Sequence, residues 1–395
     1  MFTIRTDSAC SKFAKQTYGA ERHFTQRRIK MLTVDDIVRS TRIYDFDSDY
    51  NNKKIAYFDI ETTGFSRTKN QIYLIGVAFK NEDDTFTIRQ WFDDTGKDEC
   101  KILLMFREFL KNYDMIVDFN GNSFDIPFVE ERGKKYGIQF HFNQFELFDI
   151  YKEIRPIKKL IKSINLKQKS IEQFLQIDRD DTYNGGQLIE VYYEYLSIKQ
   201  SSDYKESLYR FLMLHNHDDM EGLVNICDIL PYKNLLHKEY SYKKTDIMEK
   251  EILIHANLPH RLRTPVFLYS KEYKVECRND QLKILISCEN GVRKYFLPNY
   301  KDYYYLPDED TAIHKSVAQF VDKNHRIKAT KDTCYVKKEG TFAFQPEAVL
   351  SPSFKRDSSK DKIQYFEVPD SFEDTYSDEQ MNDLIFVILK SLISQ

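Results

Sequence analysis

Three β-prone runs separated by short turns, then one helical stretch and one short apolar run, constrain this chain more than any other feature. KIAYFDIE (54–61) begins the series, the turn TTGFSRTKN leads to QIYLIGVAF (71–79), and KNEDD leads to TFTIRQWF (85–92). Apolar residues then recur at helical spacing in ECKILLMFREFLKNY (99–113), and MIVDFN (115–120) runs into Gly121. Short turns make the first three strands antiparallel neighbours, and a strand regained through a helix returns to the same sheet. The expectation is an α/β sheet of mixed direction.

At 395 residues the chain exceeds one ordinary core, and the pattern divides it into three parts. Residues 1–50 read as a polar N-terminal lead-in with short elements, carrying the basic cluster HFTQRRIK (23–30) and the acidic tract DFDSDYNN (45–52). Residues 51–240 hold the sheet, a loop entering a helix at NSFDIPFVEERGKKYG (122–137), a further strand FELFDIY (145–151), and a helical region from 152 to 230. That region ends in one long segment at 201–230. Pro127 is tolerated in the first turn of its helix. Residues 241–395 alternate like strands (EILIHANL, VFLYS, YKVECRND, LKILISCEN, VRKYFLP), with one helix at 310–324 and an amphipathic helix at 377–393. This is a smaller β-rich α+β C-terminal domain of unknown role.

Composition narrows the function classes. A net charge of −3 exerts no whole-chain pull on nucleic acid, so such binding requires local basic patches. The 27 Tyr and 29 Phe serve core filling more economically than base stacking. Six scattered cysteines without a CxxC pair argue against a zinc knuckle or a disulfide framework and fit a reducing cytosol. MFTIRTDSACSKFAKQ lacks the apolar stretch of a secretory signal, and no run approaches the roughly 18 apolar residues that span a bilayer. A soluble, cytoplasmic protein without membrane contact is expected.

The chemistry concentrates in the middle part. Asp59 and Glu61 lie two residues apart on a strand, so both side chains point to one face. Such a pair is either a solvent-facing strand edge or one half of a cation site. IVDFNGNSFDIPF puts Asp125 where a strand exit feeds a helix start, as a helix cap or as a further ligand. HNHDDMEGL puts Asp219 one helical turn after His215, on a solvated polar stripe or a functional face.

D-x-E, NGxxFDxPF and HNxxD occur in that order on the first strand, the fourth-strand exit and a late helix. In this the sequence resembles the DEDD 3′–5′ exonuclease superfamily, and most closely the bacterial YprB-like, ribonuclease H-like family of predicted exonucleases. The resemblance covers roughly residues 54–232. It implies a ribonuclease H-like mixed five-stranded sheet with flanking helices, and a phosphodiesterase acting on single-stranded or frayed 3′ ends of DNA or RNA. It further implies that Asp59, Glu61, Asp125 and Asp219 hold two Mg²⁺ or Mn²⁺ ions roughly 4 Å apart in a two-metal-ion mechanism. Hard oxygen donors suit those ions. Thr62, Thr63 and Gly64 match the turn that meets the terminal nucleotide, and Asn120 and Phe124 match positions shaping the substrate cleft. The alternatives are a non-catalytic nucleic-acid-binding module on the same fold and a structure-specific endonuclease.

One departure concerns the helper residue. Relatives with this spacing carry Tyr four residues before the last Asp, whereas those using His place it five before. Here His215 stands at the tyrosine spacing, either as the catalytic group that orients or deprotonates water or as a helix residue of slightly different reach. For the substrate backbone, Lys152, Arg155, Lys158, Lys159, Lys162, Lys167 and Lys169 form a basic lane or a solvated helix face. YNGGQ (183–187) reads as a loop around Gly185 and Gly186. NYKDYYYLP (299–307) and TKDTCYVKKEG (330–340) mix Lys with Tyr, which suits strand stacking or an ordinary β-surface.

Overall fold

A computed structural model describes residues 33–50, 53–161, 165–179 and 185–394. The basic cluster at 23–30 lies outside the described residues. The chain forms two compact units: one holds residues up to Lys152 and Ile177–Cys227, the other Glu153–Gln176 and Asp228 onward.

The first unit is built on a six-stranded sheet in the order β1-β4-β3-β2-β5-β6. Its strands are β1 (Thr33–Val38), β2 (Ile55–Thr62), β3 (Ile72–Lys80), β4 (Phe86–Phe92), β5 (Met115–Asp118) and β6 (Glu146–Asp149). The first four pair antiparallel, and β5 and β6 run parallel to β2. This is the mixed ribonuclease H-like arrangement, with one strand more than the five expected. The extra strand, TVDDIV, comes from the supposed lead-in. It is a half-exposed edge whose Asp35 pairs with Arg89 of β4, and charges of that kind blunt an edge while hiding its alternation from the sequence.

Two helices, α1 (Glu99–Leu110) and α2 (Asp125–Lys135), cover one face. The even positions of β2, Ala56, Phe58 and Ile60, join Ile102, Leu103 and Phe106 of α1 and Phe128 and Val129 of α2 in one apolar cluster. Each large side chain so buried contributes about 1.5–3 kcal/mol. On the other face lie α3 (Gly185–Ser197) and the 23-residue α4 (Asp203–Asn225), where Leu188, Tyr192, Leu208 and Leu212 pack on Tyr73, Leu74 and Phe92. Ser202 caps α4 by accepting the Lys205 N–H, and Asp203 and Glu206 in its first turn complement the helix dipole. The odd positions of β2, among them Asp59 and Glu61, therefore face α4. Gly185 and Gly186 lie in the first turn of α3, not in a loop, while Tyr183 and Asn184 fall outside the described residues.

In the second unit, β7 (Ser241–Ile247), β8 (Glu251–Tyr269), β9 (Tyr273–Phe296), β13 (Tyr335–Gln345) and β14 (Gln364–Glu367) form an antiparallel sheet in the order β14-β13-β9-β8-β7. The C-terminal helix α5 (Asp378–Ser394) packs against β7, β8 and β13. The five short strands expected here are two long ones. Register shifts after Asn257 and Leu262 absorb what reads in sequence as turns. β10 (Tyr303–Leu306), β11 (Thr311–His314) and β12 (Ile327–Lys328) make a smaller sheet. The helix expected at 310–324 is thus a strand followed by a single turn, Lys315–Ala318, because 311–314 finds a pairing partner in YYYL of β10. Tyr303 and Tyr305 pack on the cluster of Ala312, Ala329 and Cys334. No described helix is long and apolar enough to cross a membrane.

Candidate metal centre

The centre forms where β2 outruns its neighbour. Pairing with β5 ends at Tyr57↔Val117, which leaves that edge of β2 open beside Asp59 and Glu61. The chain leaving β5 turns back through Asn120, in the left-handed region at φ 68°, and Gly121. Asp149 Oδ1 accepts the Asn120 N–H at 2.9 Å, and Asp118 Oδ1 accepts the Gly121 N–H at 2.7 Å. Any Cβ at residue 121 would lie 2.4 Å from the Asp118 carboxyl carbon, so only glycine fits. The turn delivers Asp125 as the first residue of α2, where the nearby backbone of Ile60 and of Asp125 itself favours its ionised form. Asp125 thereby comes near enough to Asp59 and Glu61 for its charge to act on both.

From the other side, α4 contributes His215, Asn216 and Asp219. His215 is 3 % exposed. Its Nε2 stands 3.4 Å from Glu61 Oε1 and 3.2 Å from Asp219 Oδ2. One donor atom from each of Glu61, His215 and Asp219 falls within a 4.8 Å span. Asp59 accepts a hydrogen bond at 3.2 Å from the Asn216 amide, and Glu61 accepts one at 3.5 Å from the Tyr73 hydroxyl. Arg179 forms an ion pair with the outer oxygen of Asp219, Oδ1.

The charges in this cluster strain against each other. Burial, then the fields of Asp125, Asp219 and Glu61, push Asp59 well above the usual carboxylate range. Burial also lifts Glu61 to about 7, opposed by His215 and reinforced by Asp219 and Asp125. Asp125 is lifted by burial to about 7 although the nearby backbone of Ile60 and of Asp125 itself pulls the other way. Asp219 departs from this pattern: burial raises it, but His215 and Arg179 together hold it below the ordinary value. Converging, desolvated carboxylates with oxygen atoms directed at a common space are the donor set of a divalent cation. Among the described residues, Glu61, His215 and Asp219 bring such donor atoms together, and Asp59 and Asp125 lie near enough for their charges to act on this group.

The segment after β2 is braced rather than loose. The Thr62 hydroxyl donates to the Gly64 carbonyl at 2.9 Å, and Thr63 exchanges hydrogen bonds with Gln71 across the turn. Asn70 ties the turn together, its amide donating to the Thr63 carbonyl and its oxygen accepting the Ser66 N–H, each at 3.0 Å. Phe65 stands out from this turn at 86 % exposure, its ring edge-on to Phe124 at 6.3 Å. Asn120 shapes the turn before α2 through its backbone conformation and its N–H.

Sequence reasoning did not single out Phe65, Asn216, Tyr73 or Arg179. Phe65 left a readable signal, a large aromatic inside a polar turn. The other three are recognisable only from what they touch. In the basic lane, Lys152, Arg155, Lys158, Lys159 and Lys167 are exposed, Lys169 is half-buried, and Lys162 lies outside the described residues. All but Lys152 belong to the second unit.

Residues 56–230 match a family model described as the RNase_H superfamily. The sheet order and this match identify that region as a ribonuclease H-like domain. Among solved structures, the chain resembles the family B DNA polymerase of the hyperthermophilic archaeon Pyrobaculum calidifontis at 16% identity, over 63% of this chain and 35% of that one, with a TM-score of 0.36. It also resembles a chain of an ExoI/SSB-Ct complex at 8% identity, over 56% of this chain and 54% of that one, with a TM-score of 0.28. The chain thus spans about a third and about half of these two structures. No curated protein matches the sequence.

Proposed function

We propose that this chain is a metal-dependent 3′–5′ exonuclease that hydrolyses phosphodiester bonds at single-stranded or frayed ends of nucleic acid. The observation that supports this most directly is the gathering of Glu61, His215 and Asp219 donor atoms within 4.8 Å, beside Asp59 and Asp125. Asp59, Glu61, Asp125 and Asp219 would hold two Mg²⁺ or Mn²⁺ ions. When bound, such ions supply charge stabilisation at the phosphate and favour an ionised water as nucleophile.

The chain's own residues account for the rest. Asp59 feels the charges of all three other carboxylates. Asn216 keeps one Asp59 oxygen engaged and leaves the other for the cation. The braced Thr62–Gly64 turn offers backbone groups to the terminal nucleotide, and exposed Phe65 with Phe124 provides a face on which its base stacks. Exposed Arg67 and Lys69 on the same turn supply charge to the phosphates next along the strand.

Matched DNA and RNA oligomers, labelled at the 3′ or the 5′ end and incubated with and without Mg²⁺ or Mn²⁺, test this reading. Metal-dependent shortening from the 3′ end, lost in Asp125→Asn, is expected. Binding without cleavage at every pH tried would overturn it in favour of a binding module. Cleavage of circular substrates would make the protein an endonuclease.

A further inference from the structure

We infer that the second unit carries a contact surface of its own for single-stranded nucleic acid, formed by Phe320 with the side chains of Lys323, Arg326, Lys328 and Lys331. The inference takes its ligand class from the nuclease reading above and assigns a role to a unit that reading leaves unused.

The connection between β11 and β12 builds the surface. Both strands pair with β10, one on either edge, so the chain from 315 to 326 crosses a face of the small sheet to pass between them. Ala318 anchors this crossing and is completely buried, and the Phe320 N–H closes the turn by donating to the Val317 carbonyl at 3.1 Å. Val317 and Phe320 are left outside at 56 % and 84 % exposure, and Ile327 of β12 follows at 53 %. Single exposed apolar residues are ordinary on a protein surface, whereas several from one short stretch, a large aromatic among them, mark a place of contact.

Charge selects the partner. In a chain of net charge −3, the stretch 314–331 sets Lys315, Lys323, Arg326, Lys328 and Lys331 against a single carboxylate, Asp322. Asp302 neutralises Lys315 at 3.2 Å, and the Asp322 carboxylate accepts the Asn324 N–H at 2.9 Å. Among the described residues, the ammonium groups of Lys323, Lys328 and Lys331 form no ion pair or hydrogen bond, and Arg326 has the Tyr304 ring 5.2 Å away. Uncompensated cations beside an open aromatic ring match a phosphate backbone with accessible bases, the cations following the phosphates and the ring taking a base on its face. A duplex keeps its base faces inside the stack, so the ring favours single strands. The tyrosines of this sheet do not serve for stacking: Tyr303 and Tyr305 pack on Ala312, Ala329 and Cys334, and Arg326 covers one face of Tyr304.

Fluorescence anisotropy of 5′-labelled oligo(dT) and oligo(U) with the full chain in EDTA, over a series of salt concentrations, tests the surface without cleavage. Phe320→Ala is expected to raise Kd roughly fivefold or more and to leave the salt dependence unchanged. Lys323→Gln/Lys328→Gln/Lys331→Gln is expected to raise Kd and to flatten the slope of log Kd against log salt by about 2. All four positions are exposed, so both variants should melt like the wild type by circular dichroism. Wild-type affinity in either variant overturns the inference, and so does a wild type that binds neither oligomer. Unchanged affinity in both variants would leave the patch to a protein partner. If both variants bind more weakly but the wild type cleaves no oligomer with Mg²⁺ or Mn²⁺, the inference stands and the nuclease reading falls.

Discussion

Asn216 on α4 and Asp59 on β2, 157 residues apart, are joined by a 3.2 Å hydrogen bond from the asparagine amide to Asp59 Oδ2. Asn216 is completely buried, and its own oxygen accepts a hydrogen bond from Gln90 Nε2 at 2.9 Å. This relay passes directly over Gly76 of β3, where a Cβ would lie 2.2 Å from Asn216 Oδ1. The absence of a side chain at residue 76 is therefore what lets α4 approach the strand that carries Asp59.

Asn216→Leu removes the amide donor from Asp59 and leaves Gln90 Nε2 only its bond to the Met213 carbonyl, at a cost of about 1–3 kcal/mol in stability. It is also expected to weaken divalent-ion binding roughly 10–100-fold, as for other groups that orient a ligand. Gly76→Ala is expected to act in the same direction by displacing Asn216 without removing a polar group. Urea denaturation and calorimetric titration with Mn²⁺ measure the two effects. Wild-type ion affinity in Gly76→Ala would reduce Asn216 to a core residue.

Asp118 predicts a pH effect. It is fully buried, its Oδ2 meets no hydrogen-bond partner among the described residues, and burial followed by the charge of Asp149 lifts it from 3.8 to about 8. A carboxyl with its folded value above its unfolded one binds extra protons in the folded state, so stability falls as pH rises between those two values. Asp118→Asn keeps an oxygen for the Gly121 N–H and removes the titration. In EDTA, the stability of the variant relative to wild type should increase steadily from pH 5 to pH 8.5, and equal gaps at the two ends would refute the assignment.

Glu99 and Arg132 predict a mechanical effect on the same region. Glu99 at the start of α1 accepts Arg132 Nε at 2.7 Å and Nη2 at 2.6 Å, the Tyr136 hydroxyl at 2.8 Å and the Ile72 N–H at 2.8 Å. This network ties α2, which carries Asp125, to the start of β3. Arg132→Met leaves a buried carboxylate without its cation and is expected to cost about 3–5 kcal/mol. The double variant Glu99→Gln/Arg132→Met should recover part of the loss in urea denaturation, because no charge is then stranded.

Phe65 separates stability from substrate affinity. At 86 % exposure its truncation to alanine should change stability by no more than about 0.5 kcal/mol. Loss of one base-stacking face is worth about 1–3 kcal/mol, so KM for oligomers is expected to rise roughly tenfold or more. Bis(p-nitrophenyl) phosphate, a chromogenic phosphodiester that carries no base, serves as the control. An unchanged oligomer KM would remove Phe65 from the substrate face.

The fold was legible where periodicity is local and unbroken. β2 to β4, α1 and β5 follow from alternation, helical spacing and turn residues within about seventy positions. β1 was not, because Asp35 and Asp36 interrupt an already half-exposed strand. The long strands of the second unit read in sequence as separate pieces, because Asn257, Pro259 and Asn279 signal turns whether the chain reverses or only bulges. The helix expected at 310–324 failed because pairing with β10 outweighs the helical spacing of a short segment.

For the candidate centre, the order of D-x-E, NGxxFDxPF and HNxxD is written in the sequence, and so is the shared face of Asp59 and Glu61, since a strand's period is two. That His215 Nε2 stands between Glu61 and Asp219, that Asn216 reaches Asp59, and that Arg179 pairs with Asp219 are not written there. Those contacts depend on where α4 crosses β2 and β3, and that crossing is set by a missing side chain at Gly76 and by packing from residues more than a hundred positions away. Local sequence determined the carboxylates and their order, and only the tertiary structure decided which atoms they share, because donor distances are fixed by helix-on-sheet packing rather than by spacing along the chain.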